Sequence, residues 1–164
     1  MPSSATIPLE AVLRAWDRHN QALLNLLALI PEGGLSARAA EGSPTVSEVL
    51  SHAHHERLVS VAEEAPEAAR AVPGREWAHE PDPAVLARQI AESAAAVREA
   101  VRGRVEAGRP LESSFDHPVT LIHFLTFHEG YHRGQIKLAL KVAGVPLSDD
   151  VVGEPVWGFW RERG

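Results

Sequence analysis

From residue 116 to 146 the chain reads DHPVTLIHFLTFHEGYHRGQIKLALKVAGVP. Asp116 or His117 ahead of Pro118 is an N-cap followed by proline in the first turn, where a missing N–H costs nothing. Leu121, Leu125, His128, His132, Ile136 and Leu140 then recur at three- and four-residue intervals, which places them on one helical face. Gly144 is a natural residue after a helix end, and Pro146 bars continuation past it. At about 1.5 Å per residue such a helix is nearly 40 Å long, which suits a bundle.

The rest of the chain has the same grammar. Apolar residues at 9, 12, 13, 16, 23, 26, 27 and 30 predict a first helix, stopped by Pro31 and Gly33-Gly34. Thr45-x-x-Glu48 is a capping box, with Ser43 an alternative cap, so a second helix runs from about Pro44 to Ala65. Asp82-Pro83 opens a third, which continues through Leu86, Ile90, Ala94, Val97 and Val101 to about Glu106. No strand-period alternation or internal repeat appears. The fold class is therefore all-α, a four-helix bundle in one domain over 1–164. Its aromatic C-terminal tail, Leu147 to Gly164, carries Trp157, Phe159 and Trp160. The linkers at 31–43 and 65–81 are long for bundle loops, so up-down-up-down order is not dictated. The second holds Pro73 and Gly74 and has room for a short helical turn.

Lys and Arg number 16 against 22 Asp and Glu, a net charge of −6. That acidity argues against nucleic-acid binding. No apolar run reaches the ~20 residues of a membrane span. Arg14 and Arg18 followed by the apolar 22–30 loosely mimic a secretory leader. Glu10, Asp17 and the earlier apolar spacing instead favour an amphipathic helix, and the expected compartment is the cytoplasm. The chain has nine histidines and no cysteine. Disulfides, thiolate ligands and a protein thiol nucleophile are excluded, leaving imidazole and carboxylate for metal chemistry.

His128 and His132, four apart on one helix, can share one ion. A third ligand must come from elsewhere, and the second helix offers Ser51-His52-Ala53-His54-His55-Glu56. His52 and Glu56 share a face, His55 lies next to it, and His54 points away. His52, His128 and His132 would give a divalent ion three neutral imidazoles and leave positions open for water or substrate. His55 is the alternative third ligand. Glu56 is a candidate fourth ligand or base, and Gln135, on the same face as His132, a candidate for orienting a ligand. His19, His79, His117 and His123 lack a partner at ligand spacing and read as solvated or capping residues.

Residues 128–132, His-Glu-Gly-Tyr-His, also fit H-E-x-x-H, in which Glu129 would activate zinc-bound water. The extended form of that motif wants Gly and His where Leu138 and Lys141 stand. Glu154 could serve another class, but the substrate-holding sheet edge of such peptidases has no counterpart in the sequence.

The segment His128 to Ile136 resembles the H-x-x-x-H-R-G-Q signature of the DinB/YfiT-like superfamily, and Thr45 to His52 is similar to that family's other hallmark. The likeness extends over most of 9–150. It implies a four-helix bundle, often dimeric, with a divalent metal on three histidines, which map to His52, His128 and His132; imidazole ligands suit zinc, nickel, copper or iron. Gly134 reads as allowing close helix approach and Arg133 as a surface or interface ion-pair residue.

The superfamily includes thiol-dependent S-transferases and isomerases. The resemblance therefore implies a metal-dependent enzyme whose ion activates a low-molecular-weight thiol or, in a variant, hydrolytic water. The catalytic candidates are Glu56, Glu129 and Gln135, and a homodimer is expected. The competing readings are a non-catalytic metal-binding or stress-related interaction protein, and a metal-free bundle dimerising through apolar faces.

Overall fold

A computed structural model describes residues 8–161. Four long helices, α1 (Leu9–Ala28), α2 (Val46–Glu64), α3 (Pro83–Glu106) and α4 (Pro118–Val142), precede a short α5 (Asp149–Val152). The described residues hold no strand, only an isolated bridge between Arg38 and Thr45. No helix among them is long and apolar enough to cross a membrane.

Local chemistry sets the ends. At α2 the Glu48 N–H donates to Thr45 Oγ1 at 3.1 Å, while the Thr45 N–H donates to Glu48 Oε2 at 2.7 Å. Asp82 caps α3 through the Ala84 N–H at 2.8 Å, and His117 caps α4 through the Val119 N–H at 3.1 Å. Gly144 has φ +79°, a left-handed conformation that costs glycine nothing, and the Val145 N–H closes back on Leu140 O at 3.0 Å. The 65–81 linker does contain a helical turn, Pro66–Ala68.

Helix direction follows from the core, which is split into two apolar clusters. One joins Leu23, Leu26 and Leu27 of α1 to Val49 and Leu50 of α2, Leu86 and Ile90 of α3, and Ile136 and Leu140 of α4. The other joins Leu13 and Trp16, Leu58 and Val61, Val97 and Val101, and Leu121 and Leu125 of the same four helices. The late part of α1 thus packs with the early parts of α2 and α3 and the late part of α4. The order is up-down-down-up. α2 packs mainly on α3 and α4, and α1 mainly on α3 and the C-terminal segment, rather than on each other. Because α2 and α3 run parallel, the 65–81 linker must return along the bundle.

The tail closes the first cluster. Leu147, Val152 and Val156 are buried in it, and Trp160 packs against it. Ser148 caps α5, and Asn25 Nδ2 of α1 donates to Pro155 O at 2.6 Å. Trp157 is exposed on one side. The Phe159 side chain and residues 162–164 lie outside the described part of the tail.

Between the two apolar clusters, His19 of α1, His52 and Arg57 of α2, and Glu129 and His132 of α4 are buried. This polar layer contains the candidate site.

Candidate metal centre

α2 and α4 each contribute to the layer by helical periodicity. His128 and His132 lie one turn apart on α4, and His52 faces them from the second turn of α2, whose start the capping box fixes. His132 Nε2 lies 3.0 Å from His128 Nε2, and His52 Nε2 lies 3.3 Å from His128 Nε2. One ligand atom from each residue falls within 4.8 Å of the other two, and no other such group of three occurs among the described residues. Two nitrogens each ~2.0–2.1 Å from one ion are separated by roughly 2.9–3.4 Å in octahedral or tetrahedral geometry. The observed spacings fall in that range.

The electrostatics keep the His52 and His132 rings neutral. Burial, followed by the neighbouring His132 and His128, pushes His52 down to about 4 despite Glu76. Burial also lowers His132, against the opposing effect of Gln135. A neutral imidazole has one donor and one acceptor nitrogen. His132 Nδ1 lies 2.7 Å from Gln135 Oε1. Since that amide oxygen only accepts, Nδ1 carries the proton and the Nε2 lone pair faces the other two histidines. His128 Nδ1 is buried with no hydrogen-bond partner. The donor set and its convergence fit one divalent ion.

Aromatic rings frame the cluster. Trp77, carried in by the 65–81 linker, stacks on His52 with centroids 4.0 Å apart and planes 8° from parallel. Phe124 stacks on His128 at 5.8 Å, and Tyr131 meets His132 edge-on at 5.5 Å. Glu76 Oε1 lies 2.9 Å from His52 Nδ1. It lies outside hydrogen-bond geometry, since that nitrogen has no hydrogen-bond partner.

The remaining candidates are not among the three converging ligands. His55 is outside the triad, and His54 is buried on another face, its pKa lowered by burial against a bond involving the Gln89 backbone. Glu56 is half-buried one turn beyond His52 and accepts from Ser60 at 3.4 Å. His117 is a cap, as its position implied, His123 is exposed, and His79 Nδ1 lies 3.4 Å from Thr45 Oγ1.

Glu129 does not join the triad. Arg57 donates to its two oxygens through Nε at 2.6 Å and Nη2 at 2.8 Å, and His19 Nε2 lies 2.8 Å from Oε2. Burial raises its pKa, but the charge of Arg57 and the bonds from His19 and Arg57 outweigh that and hold it well below the usual carboxylate range. Being one residue past His128, it is rotated about 100° towards α1. The H-E-x-x-H reading puts a water-activating base beside the ion, and here that carboxylate is taken up by a buried guanidinium.

Two further expectations are corrected. His19 is no solvated residue: it is 2% exposed, stacked on Trp16, with its pKa lowered chiefly by burial. Arg133 is not a surface ion-pair residue. Its Nη2 donates to His19 O at 2.7 Å, and burial lowers its pKa to about 10.

Sequence reasoning missed Trp77, Glu76 and the partners of Arg57. A lone tryptophan inside a proline- and glycine-rich linker is one usable signal. Another is an arginine seven residues after Leu50 and four before Val61, on the face α2 buries. Arg57 also donates through Nη1 to Asn20 Oδ1 and Ile90 O, both at 2.9 Å, and lies over the Trp16 ring. It thereby ties α2 to the other three helices.

Compared with known proteins, the chain matches the model of the DinB family over residues 1–157. No curated protein and no solved structure gives a significant match.

Proposed function

The chain belongs to the DinB family, and on that premise we propose that it is a metal-dependent enzyme of the thiol-dependent S-transferase type, with a divalent ion on His52, His128 and His132. The observation that carries the reading is the convergence of three Nε2 atoms, with spacings of 3.0 and 3.3 Å to His128. When bound, such an ion supplies Lewis-acid chemistry, lowering the pKa of a coordinated low-molecular-weight thiol so that it reacts as a thiolate.

The chain's own residues set the conditions. Three protein ligands leave positions open for a cosubstrate, as catalytic sites require. Gln135 holds the His132 tautomer. Trp77 and Phe124 restrict solvent around His52 and His128, and an exposed Tyr131 stands beside His132 for an incoming substrate to meet. Glu56, one turn from His52, is the carboxylate proposed to accept the proton that the thiol releases. With no cysteine in the chain, the thiol comes from a cosubstrate.

The test is a matrix of low-molecular-weight thiols and electrophilic acceptors assayed with metal-loaded and chelator-treated protein. Metal-dependent loss of free thiol supports the proposal, and turnover unchanged by metal removal rejects it. The same reading makes the protein a homodimer through the outer face of α4, where Phe127 is 80% exposed and Leu138 and Val142 stand free of the core.

A further inference from the structure

The face of α4 turned away from the histidines borders a cavity of about 380 Å³. Thr126, Gly130 and Gly134 form its wall on α4, and Val156, Trp157 and Trp160 of the C-terminal segment form its roof. This volume is at the small end of the roughly 300–1,000 Å³ typical of small-molecule sites. Neither glycine serves close packing, since a Cβ at either position would meet no atom within 4 Å. Gly134 was expected to bring helices together. Instead it leaves the cavity wall bare.

Four polar side chains border this apolar space, His19, Thr126, Arg133 and Lys137, and the Lys137 ammonium is paired with Asp149 at 3.1 Å. The nearby charges do not balance. Arg57 and Arg133 are both cations, and the one buried carboxylate beside them, Glu129, is taken up by Arg57 and His19. Among the described residues Arg133 hydrogen-bonds to His19 alone, and its Nε is buried with no hydrogen-bond partner. A partly desolvated guanidinium beside an apolar cavity suits a planar anion with an apolar body.

We propose that the cavity between α4 and the C-terminal segment binds a small apolar monocarboxylate, its carboxylate on Arg133 and its hydrocarbon or aromatic body between Trp157, Trp160 and the bare Gly130–Gly134 wall. The site is separate from the three-histidine cluster and does not depend on the metal.

The test is titration of the protein with phenylacetate and octanoate, by calorimetry and tryptophan fluorescence, with EDTA present so that carboxylate on a metal does not register. Phenylacetamide and inorganic phosphate are the comparison probes. The expected result is saturable binding of the acids, weakened at least about tenfold in phenylacetamide and in Arg133→Gln. Phosphate alone should bind at least as weakly. Gly134→Leu, which fills the cavity from an open position on a helix, should abolish acid binding while circular dichroism reports an intact bundle. No saturation by either acid, equal affinity for acid and amide or for acid and phosphate, or undiminished binding in folded Arg133→Gln or Gly134→Leu would overturn the proposal.

Discussion

His132 Nδ1 and Gln135 Oε1 stand 2.7 Å apart within one turn of α4, so the side chain of Gln135 decides which nitrogen of His132 faces His52 and His128. Partners of this kind typically contribute 10–100-fold to metal affinity. Gln135→Leu should therefore weaken zinc binding by about that factor, measured by competition with a chromogenic chelator. Gln135→Glu, which keeps an acceptor at the same position, should retain affinity. Equal affinity in all three proteins would remove Gln135 from the account.

Glu129 separates two readings of the same motif. As the partner of Arg57 it is structural, and Glu129→Gln should destabilise the fold by ~3–5 kcal/mol, because removing one member of a buried pair leaves the other charge uncompensated. Metal content should not change. Urea unfolding and elemental analysis of one preparation check both points. Normal stability with lost metal-dependent hydrolysis would restore the general-base reading.

Acid should unfold the metal-free protein in a defined window. His19, His52, His54 and His132 all have folded-state values lowered from 6.5, with burial the largest cause in each. Between the folded and unfolded values the unfolded chain binds more protons, so the folded state loses stability as pH falls. The histidine contribution is complete above 6.5 and is lost as pH drops towards about 4, the value of His52. Glu129, lowered from 4.5, adds a further loss below that ordinary value. Urea midpoints should be level above pH 7 and decline steadily below 6.5. A level profile down to pH 4.5 would contradict the neutral, buried histidines.

The outer face of α4 supplies a test of the proposed homodimer. Phe127→Asp and Leu138→Asp, at positions that face solvent in the single chain, should shift the mass found by light scattering from dimer to monomer with helicity unchanged. A monomeric wild-type protein would dismiss the dimer.

How much of this was legible in the sequence depended on how local the determinants are. Thr45 with Glu48, Asp82 with Pro83 and His117 with Pro118 each mark a helix start within a few residues, and the helices begin there. The His128–His132 pair was equally local, because four residues on a helix leave little freedom. Helix direction was not local: a 65–81 linker can join parallel or antiparallel neighbours, and only the two core clusters decide between them. His19 looked idle because its partner Glu129 is 110 positions away. Trp77 was passed over for the same reason. It meets His52 only once the linker has folded back along the bundle.

All of the proposed chemistry depends on one divalent ion held by His52, His128 and His132. Elemental analysis by mass spectrometry, on tag-free protein reconstituted with zinc, nickel or iron and then desalted, tests it most directly when repeated on His128→Ala. About one ion per chain is expected in the wild type and less than about a tenth of that in the variant. Wild-type protein that retains no ion after reconstitution, or a variant that retains as much as the wild type, would contradict it.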